Sequence, residues 1–179
     1  MSYANKLQKA QDNCLILPES ERTMRNPPCD KLDRELLVAV QHDGALTNEQ
    51  LSRKIGLSPS AIQRRLRRLE ATGTIERRVA IVDPSKVGYG ALFVVAVEVE
   101  RERQELVQPL RAWLRFEPAI QQAYYVTGGT DYVLIVTARD IGEFDSLMSR
   151  MMVENKNIRR FTTNVVMSAI KRGLFVPVA

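Results

Sequence analysis

Four arginines within five consecutive residues are the side chains of this sequence best suited to binding another molecule. Residues 57–70 read LSPSAIQRRLRRLE, and at about 100° per helical residue their polar side chains fall opposite an apolar stripe. The polar side consists of Ser60, Arg64, Arg67 and Arg68, with Gln63 and Arg65 at its flanks. Guanidinium groups neutralise phosphates and pair with guanine, while hydroxyl and amide groups reach bases or backbone. We therefore predict that these side chains, together with Ser58, point outward and contact the major groove of double-stranded DNA.

Start signals and an apolar stripe define the helix that carries this polar face. Ser58 is a good N-cap, and Pro59 occupies the first helical position, where a missing N–H costs nothing. Ile62, Leu66 and Leu69 recur at i, i+4 and i+7, so they form one buried stripe. The stripe directs the arginines away from the core.

A second helix is predicted immediately before the first, at residues 47–55. Thr47 and Gln50 form a capping-box pattern, and Gly56 ends the helix because glycine adopts the left-handed conformation without strain. With a third helix at residues 32–41, the arrangement is a helix-turn-helix. The alternative is an ordinary three-helix bundle with a solvated arginine face. The agreement of caps, turn spacing and stripe favours DNA binding.

The charge of the chain is concentrated in the same region. The formal net charge is +5, and residues 59–83 contain six arginines against three carboxylates. Residues 1–29 have a net charge of only +1. A hydrophobic fraction of 45% is too high for a disordered protein. The positive charge therefore lies where a groove-facing helix needs it.

Several other functions are disfavoured by what the sequence contains. The apolar runs are short and interrupted by charge, and the start has no signal-peptide core, so we expect a cytoplasmic protein without a membrane partner. Cys14 and Cys29 do not make a disulfide framework, and a single histidine, His42, does not make a metal site. None of these residues belongs to a recognisable catalytic arrangement. We expect no enzymatic activity, no catalytic residues, no metal and no cofactor.

Residues 1–29 are predicted to form a flexible N-terminal arm. Residues 3–15 resemble a weak amphipathic helix, but three prolines and a polar run follow. The small net charge gives the arm little electrostatic reason to bind DNA.

Residues 75–82, IERRVAIV, are rich in β-forming side chains and end at an Asp-Pro pair. We interpret them as the wing or linker strand that follows the helix-turn-helix. Arg77 and Arg78 either contact phosphates beside the groove or are exposed to solvent, and the residues do not decide between these roles.

The second half alternates strands and helices. Strands are predicted at residues 92–100, 120–127 and 132–138 and within 158–170. One helix is predicted at residues 107–116, beginning late because Pro109 is tolerated only in the first turn; a second follows Asp140 and Glu143, which cap it. Residues 174–178 are a candidate edge strand. The order βαββαβ is the ferredoxin-like split motif, so the fold class is α+β.

Such a sheet has helices on one face only. The strands at residues 124–126 and 133–136 carry apolar side chains on both faces, so something must cover the second face. A second copy of the same sheet is the best candidate, which predicts a dimer. A symmetric dimer presents two recognition helices to a near-palindromic DNA site.

From residue 32 to about 177, the chain resembles the leucine-responsive regulator/asparagine-regulator (Lrp/AsnC) family of prokaryotic transcription factors. The matching segments are LDRELLVAVQHDG, LSPSAIQRRLRRLEATGTI, DPSKVGYG, YYVTGGTDYVLIV and TTNVVMSAIK. The resemblance implies a winged helix-turn-helix at residues 30–74, a β linker at 75–90, and a ligand-responsive domain at 91–179. It also implies dimers that assemble further, often into octamers, and wrap DNA.

The loop at residues 127–132, TGGTDY, is the candidate effector site. Its glycines allow backbone N–H groups to approach a small carboxylate, and Asp131 is suited either to holding an α-ammonium group or to capping the loop. A tight β-turn without a ligand is the alternative. The resemblance implies an amino-acid site between dimers that uses this loop and the last main strand. The residues that match it are Gly128, Gly129, Thr130, Asp131, Tyr132, Thr163, Asn164, Val165 and Val166.

Two features depart from the family pattern. The arm before the first helix is longer than usual, and the segment ENKNIRRF lacks the Pro-Gly often found before the last strand. We expect a sequence-specific transcriptional regulator whose assembly or DNA affinity responds to an amino acid or related metabolite. The alternative is an architectural DNA-wrapping protein of the same fold that ignores small molecules.

Overall fold

A computed structural model describes residues 29–178 of the chain, which are divided between two compact units. One unit contains residues 29–81 and 172–178, and the other is Val82–Lys171. Apart from Cys29, whose thiol is free, the predicted N-terminal arm lies outside the described residues. Within residues 29–178, no helix has the length and apolar character needed to cross a membrane.

The described part of the first unit contains three helices. They are α1, Lys31–His42; α2, Asn48–Ile55; and α3, Pro59–Ala71. Each begins at a side-chain cap, because Asp30, Thr47 and Ser58 accept a backbone N–H from the first turn that follows. The three helices share one core, formed by Leu36, Leu37, Ala39, Leu51, Ile62, Leu66 and Leu69. The predicted caps and stripe are confirmed.

The turn between α2 and α3 has the predicted geometry. Gly56 has a φ of +78° and donates its N–H to the Ser52 carbonyl oxygen at 2.9 Å, ending α2. Ser58 then begins α3 after a single intervening residue, Leu57. This compact connection makes the unit a helix-turn-helix.

The end of the chain packs on this helical unit. The Gln41 side-chain amide donates to the Val176 carbonyl oxygen at 3.1 Å and accepts the Val176 N–H at 2.8 Å. The rings of His42 and Phe175 lie 4.9 Å apart, and Val178 packs against the helical core. The candidate edge strand at residues 174–178 is therefore wrong, since this segment pairs with a side chain of α1 and joins no sheet.

The second unit contains the predicted βαββαβ order. Its elements are β1, Ala91–Val99; α4, Gln104–Phe116; β2, Ile120–Tyr125; β3, Tyr132–Ala138; α5, Ile141–Glu154; and β4, Ile158–Val165. The strands form one antiparallel sheet in the order β2-β3-β1-β4, and a short 3₁₀ helix at Pro84–Val87 precedes β1. This is the split motif expected from the sequence.

Among residues 29–178, helices cover one face of the sheet. Alternate residues of β1 and β3 are buried beneath α4 and α5, including Phe93, Val95 and Leu134. The intervening side chains are half-buried at most: Leu92, Val94, Ala96, Val133 and Ile135. Within the described residues, this apolar second face has no covering layer.

Helix α4 begins three residues earlier than predicted. Pro109 lies in its second turn, where it removes the N–H that would bond to the Glu105 carbonyl. Both residues are exposed, so water can hydrate that carbonyl. The prediction that Pro109 must lie in the first turn is wrong, because the hydrogen bond that it removes lies on the solvent-exposed side of the helix.

The strand predicted at residues 75–82 is also wrong for the described chain. No strand of residues 29–178 pairs with this segment, and a strand needs a neighbour for its backbone groups. Ile75 packs against the helical core, but Val79, Ile81 and Val82 lie in solvent, and Ile81 is 86% exposed.

The left-handed cap at Gly56 gives a direct test of the turn. We expect Gly56→Ala to lower the free energy of unfolding by about 1–2 kcal/mol, because a Cβ disfavours this conformation. Gly44→Ala is the matched control, since its φ is not left-handed and its Cβ would lie 3.8 Å from the Val40 oxygen. Urea denaturation followed by circular dichroism measures both, and equal losses would contradict the assigned turn.

Candidate nucleic-acid interface

The exposed face of α3 carries two arginines without an acidic partner. Ser60, Gln63, Arg64 and Arg67 are all exposed. Within residues 29–178, neither Arg64 nor Arg67 is in an ion pair. At the start of the helix, the Ser58 Oγ accepts the Ala61 N–H at 3.3 Å and lies 3.1 Å from the Ser60 Oγ. This face offers cations, an amide and a hydroxyl to a ligand.

The other two arginines of α3 turn back towards α1. Arg65 Nη1 lies 2.7 Å from an oxygen of Asp30 and 2.7 Å from Asp33 Oδ1, and Arg68 Nη2 donates to Asp33 Oδ2. The Arg65 side chain is 21% exposed and that of Arg68 is 44% exposed. Arg65 therefore does not point freely outward as expected, whereas Arg68 is exposed as expected but pairs its guanidinium group with a carboxylate of α1.

Asp33 was not predicted from the sequence to pair with these arginines, although the sequence contains a signal for such a role. Asp33 follows Asp30 by three residues, and each side chain accepts the backbone N–H of the other, as in a capping box. The Asp33 side chain is 1% exposed. A second carboxylate in the first turn, on a helix face that is otherwise apolar, indicates that a cation lies beside it. Two arginines spaced i and i+3 on another helix can both reach such a carboxylate.

In the segment after α3, Arg77 and Arg78 differ in the partners that the described residues offer them. Arg78 Nη2 lies 2.8 Å from Glu70 Oε1, which ties this segment to the end of α3. Arg77 is exposed and has no ion pair within residues 29–178. The two linker arginines, which the sequence did not separate, thus differ in their surroundings.

Charge is divided unequally between the two units. Residues 29–81 and 172–178 contain eleven basic and seven acidic side chains, whereas residues 82–171 contain eleven of each. The excess positive charge therefore belongs to the helical unit, which is where a polyanion would be attracted.

In the candidate effector loop, Asp131 acts as a cap. Its Oδ2 accepts the Val99 N–H at 2.7 Å, and its own N–H donates to the Val97 oxygen at 3.0 Å. The Thr130 hydroxyl donates to the same Val97 oxygen at 2.8 Å. Gly128 has a φ of +124°, and Gly129 has no positive φ. These bonds fasten the loop to the end of β1.

The structure does not bring this loop together with all the predicted residues of the last strand. Thr163 lies opposite Val95, and the Val166 N–H bonds to the Leu92 oxygen at the start of β1. The loop bonds to Val97 and Val99 at the other end, about 17 Å from Leu92 at roughly 3.3 Å per residue. In one chain, the loop is therefore far from Val166, whereas Thr163 lies opposite a residue only two positions from Val97.

One polar atom of the last strand is also left unsatisfied. The Thr163 Oγ1 atom is inaccessible to solvent and has no hydrogen-bond partner among residues 29–178. Asn164 and Val165 are exposed, and Tyr132 is buried with its hydroxyl 3.3 Å from Arg111 Nε.

The helical unit and the sheet unit together define the class of this protein. It is a helix-turn-helix regulator with a separate domain of the kind that binds ligands in such proteins. Residues 30–70 match the AsnC-type helix-turn-helix domain, and residues 92–174 match the Lrp/AsnC ligand binding domain. The chain therefore belongs to the Lrp/AsnC family of transcriptional regulators.

Relatives and solved structures agree over most of the chain. An uncharacterized helix-turn-helix-type transcriptional regulator, y4tD of Sinorhizobium fredii, is 44% identical over 83% of this chain and 88% of its own length. An AsnC family regulator from Agrobacterium tumefaciens matches with a TM-score of 0.78 at 31% identity, covering 83% of this chain and 96% of that one. The NMB0573/L-Met complex from Neisseria meningitidis matches with a TM-score of 0.77 at 28% identity and the same coverage.

The ion pair between Arg65 and Asp30 predicts that the free energy of unfolding depends on pH. The Arg65 guanidinium lowers the pKa of the Asp30 carboxyl below its ordinary 3.8. A pKa depressed by folding means that the pair stabilises the fold above pH 3.8, and this stabilisation is lost as the pH falls through the folded-state pKa. We expect Asp30→Asn, which keeps a good N-cap, to lower stability at neutral pH and to flatten the loss of stability in acid.

Urea unfolding at pH values on both sides of 3.8 measures this effect. Glu76→Gln is the control, because Glu76 is exposed and has no ion pair within residues 29–178. An acid profile that is identical in Asp30→Asn and the unmodified chain would contradict the predicted coupling.

Proposed function

We propose that this regulator binds specific DNA sequences through α3 and that its assembly or DNA affinity responds to an amino acid or a related metabolite. The observation that carries the proposal is the exposed face of α3, where Arg64 and Arg67 have no acidic partner in the described chain. Unpaired guanidinium groups on a helix of the positively charged unit are suited to phosphates and guanine edges.

Each polar residue of this face has an assigned contact. Arg64 and Arg67 divide between phosphate anchoring and guanine reading, while Ser60 and Gln63 contact bases or backbone. Ser58 caps the helix and lies beside Ser60, so it borders the same surface. Arg77 contacts a flanking phosphate, and Arg78 contributes less because Glu70 holds it.

The uncovered sheet face supports a dimer. Its centre is apolar, and a second copy of the sheet would remove Val94, Ile135 and their neighbours from water. The wide separation of the loop and residue 166 supports an effector pocket that uses residues from more than one subunit. Assembly beyond the dimer, including an octamer, stays a prediction from the family resemblance, and a cytoplasmic location stays a prediction from the short, charge-interrupted apolar runs.

An amino acid is the proposed effector because the Neisseria protein was solved as a complex with L-Met. We assign the ligand carboxylate to the backbone N–H groups around Gly128 and Gly129, and its ammonium group to Asp131. Asp131 keeps one oxygen for this role, since only Oδ2 is engaged with Val99. The same bond favours the second candidate, a ligand-independent DNA-wrapping protein, in which Asp131 serves only as a cap.

Removal of the unpaired arginines tests the DNA face. We expect Arg64→Ala and Arg67→Ala each to weaken specific binding by about 1–3 kcal/mol when the arginine reads a base. Where it contacts a phosphate, the slope of log affinity against log salt falls by about one for every sequence. Fluorescence anisotropy with a duplex selected from a random library measures both quantities.

The control for that experiment is Arg115→Ala, because Arg115 is exposed on α4 in the unit without excess charge. Unchanged affinity and salt slope in both α3 variants would contradict the assigned orientation of the helix.

A bulky side chain in the loop tests the effector site. We expect calorimetry with a panel that includes L-Met to give heat with the unmodified chain and none with Gly128→Trp, since the indole fills the loop. Gly90→Trp is the control, because Gly90 is also unobstructed but has no positive φ. Absence of heat with every amino acid would favour the ligand-independent candidate.

A further inference from the structure

We infer that Asp33 is a positioning residue for DNA recognition, which pairs with Arg65 and Arg68 and so holds α3 in the rotation that turns Arg64 and Arg67 toward DNA. The inference rests on the proposed DNA-binding function and deepens it. It also divides the four arginines of α3 into two pairs with different roles.

Both oxygens of the Asp33 carboxylate are engaged. Oδ1 accepts from Arg65 at 2.7 Å, and Oδ2 accepts from Arg68 and from the Asp30 N–H at 3.1 Å. The side chain is almost wholly removed from water. A buried carboxylate is tolerated only when it is paired and hydrogen-bonded, so each arginine is needed where it is.

The same contacts restrain the rotation of α3. Arg65 and Arg68 are three residues apart, which separates their attachment points by about 4.5 Å along the helix axis on one face. Arg65 also contacts Asp30, whose carboxylate accepts the Asp33 N–H, so the pairing joins the first turn of α1 to the middle of α3. Two attachment points on one face fix the helix against turning about its axis.

The DNA-facing arginines depend on that restraint through their spacing. Arg64 and Arg67 each precede an anchored arginine by one residue, which places them about 100° around the helix. A turn of α3 would move both guanidinium groups sideways with respect to a groove. Recruiting Arg65 or Arg68 to a phosphate would instead leave the buried carboxylate partly uncompensated.

The testing experiment compares specific and non-specific DNA binding by the full chain carrying Asp33→Asn. We expect the ratio of specific to non-specific affinity to fall about tenfold or more, the equivalent of losing one base contact. Non-specific affinity is expected to be maintained or to rise, because Arg65 and Arg68 are released and the negative charge is removed. Circular dichroism gives the folded fraction, which corrects both affinities.

The outcomes separate positioning from simple stabilisation. A purely structural role would lower both affinities in proportion to the folded fraction and leave their ratio unchanged, which would overturn the inference. Arg65→Ala and Arg68→Ala provide the second measurement if Asp33→Asn does not fold. If these variants lose specificity without a decrease in the salt slope, the result supports positioning. If the salt slope falls by about one in each variant while stability is unchanged, the two arginines contact phosphates and the inference is overturned.

Matched variants complete the design. Asp30→Asn removes the exposed partner of Arg65 while Asp33 remains, so we expect a smaller change in the ratio than with Asp33→Asn. If the unmodified chain shows no preferred DNA sequence, the proposed function fails and the inference fails with it. If the unmodified chain is specific and Asp33→Asn is equally specific, the inference alone fails.

Discussion

The helical unit depends on the compensation of one buried negative charge. A carboxylate deprived of water requires opposite charge and hydrogen bonds at both oxygens, and Asp33 obtains these from Arg65, Arg68 and the backbone of Asp30. The need for compensation selects which arginines turn inward. Within residues 29–178, Arg64 and Arg67 have no acidic partner, so they are the arginines of α3 that remain available.

The sheet unit depends on a different constraint, which is that an antiparallel sheet has two faces and its helices cover one. The buried face is filled by Phe93, Val95 and Leu134 beneath α4 and α5. The other face is apolar but uncovered within the described residues. This uncovered face makes the sheet unit suited to working as part of an assembly.

Local signals were sufficient to predict much of this architecture. Ser58, Pro59 and Gly56 have strong conformational preferences of their own, so the helix-turn-helix could be placed to within a few residues. The βαββαβ order followed from alternating apolar patterns and cap residues in the same way. These features depend on neighbours in sequence, which a single chain displays directly.

The features that could not be predicted depend on distant partners. Arg65 and Arg67 are two residues apart and chemically identical, and only the position of Asp33 in the fold separates their roles. Residues 75–82 have the composition of a strand but no strand to pair with, and Pro109 is tolerated because its unpaired carbonyl partner faces water. The proposed effector residues come from two distant stretches of chain, and local signals do not predict whether such stretches meet.

The packing of Phe175, Val176 and Val178 on α1 makes the helical unit discontinuous in sequence. The chain leaves this unit after residue 81, forms the whole sheet unit, and returns at residue 172. During synthesis, the helical unit therefore cannot complete its packing until residues 172–178 have left the ribosome. A fragment that ends at residue 81 would leave the apolar edge that receives Val178 exposed to water, which favours aggregation over a clean isolated domain.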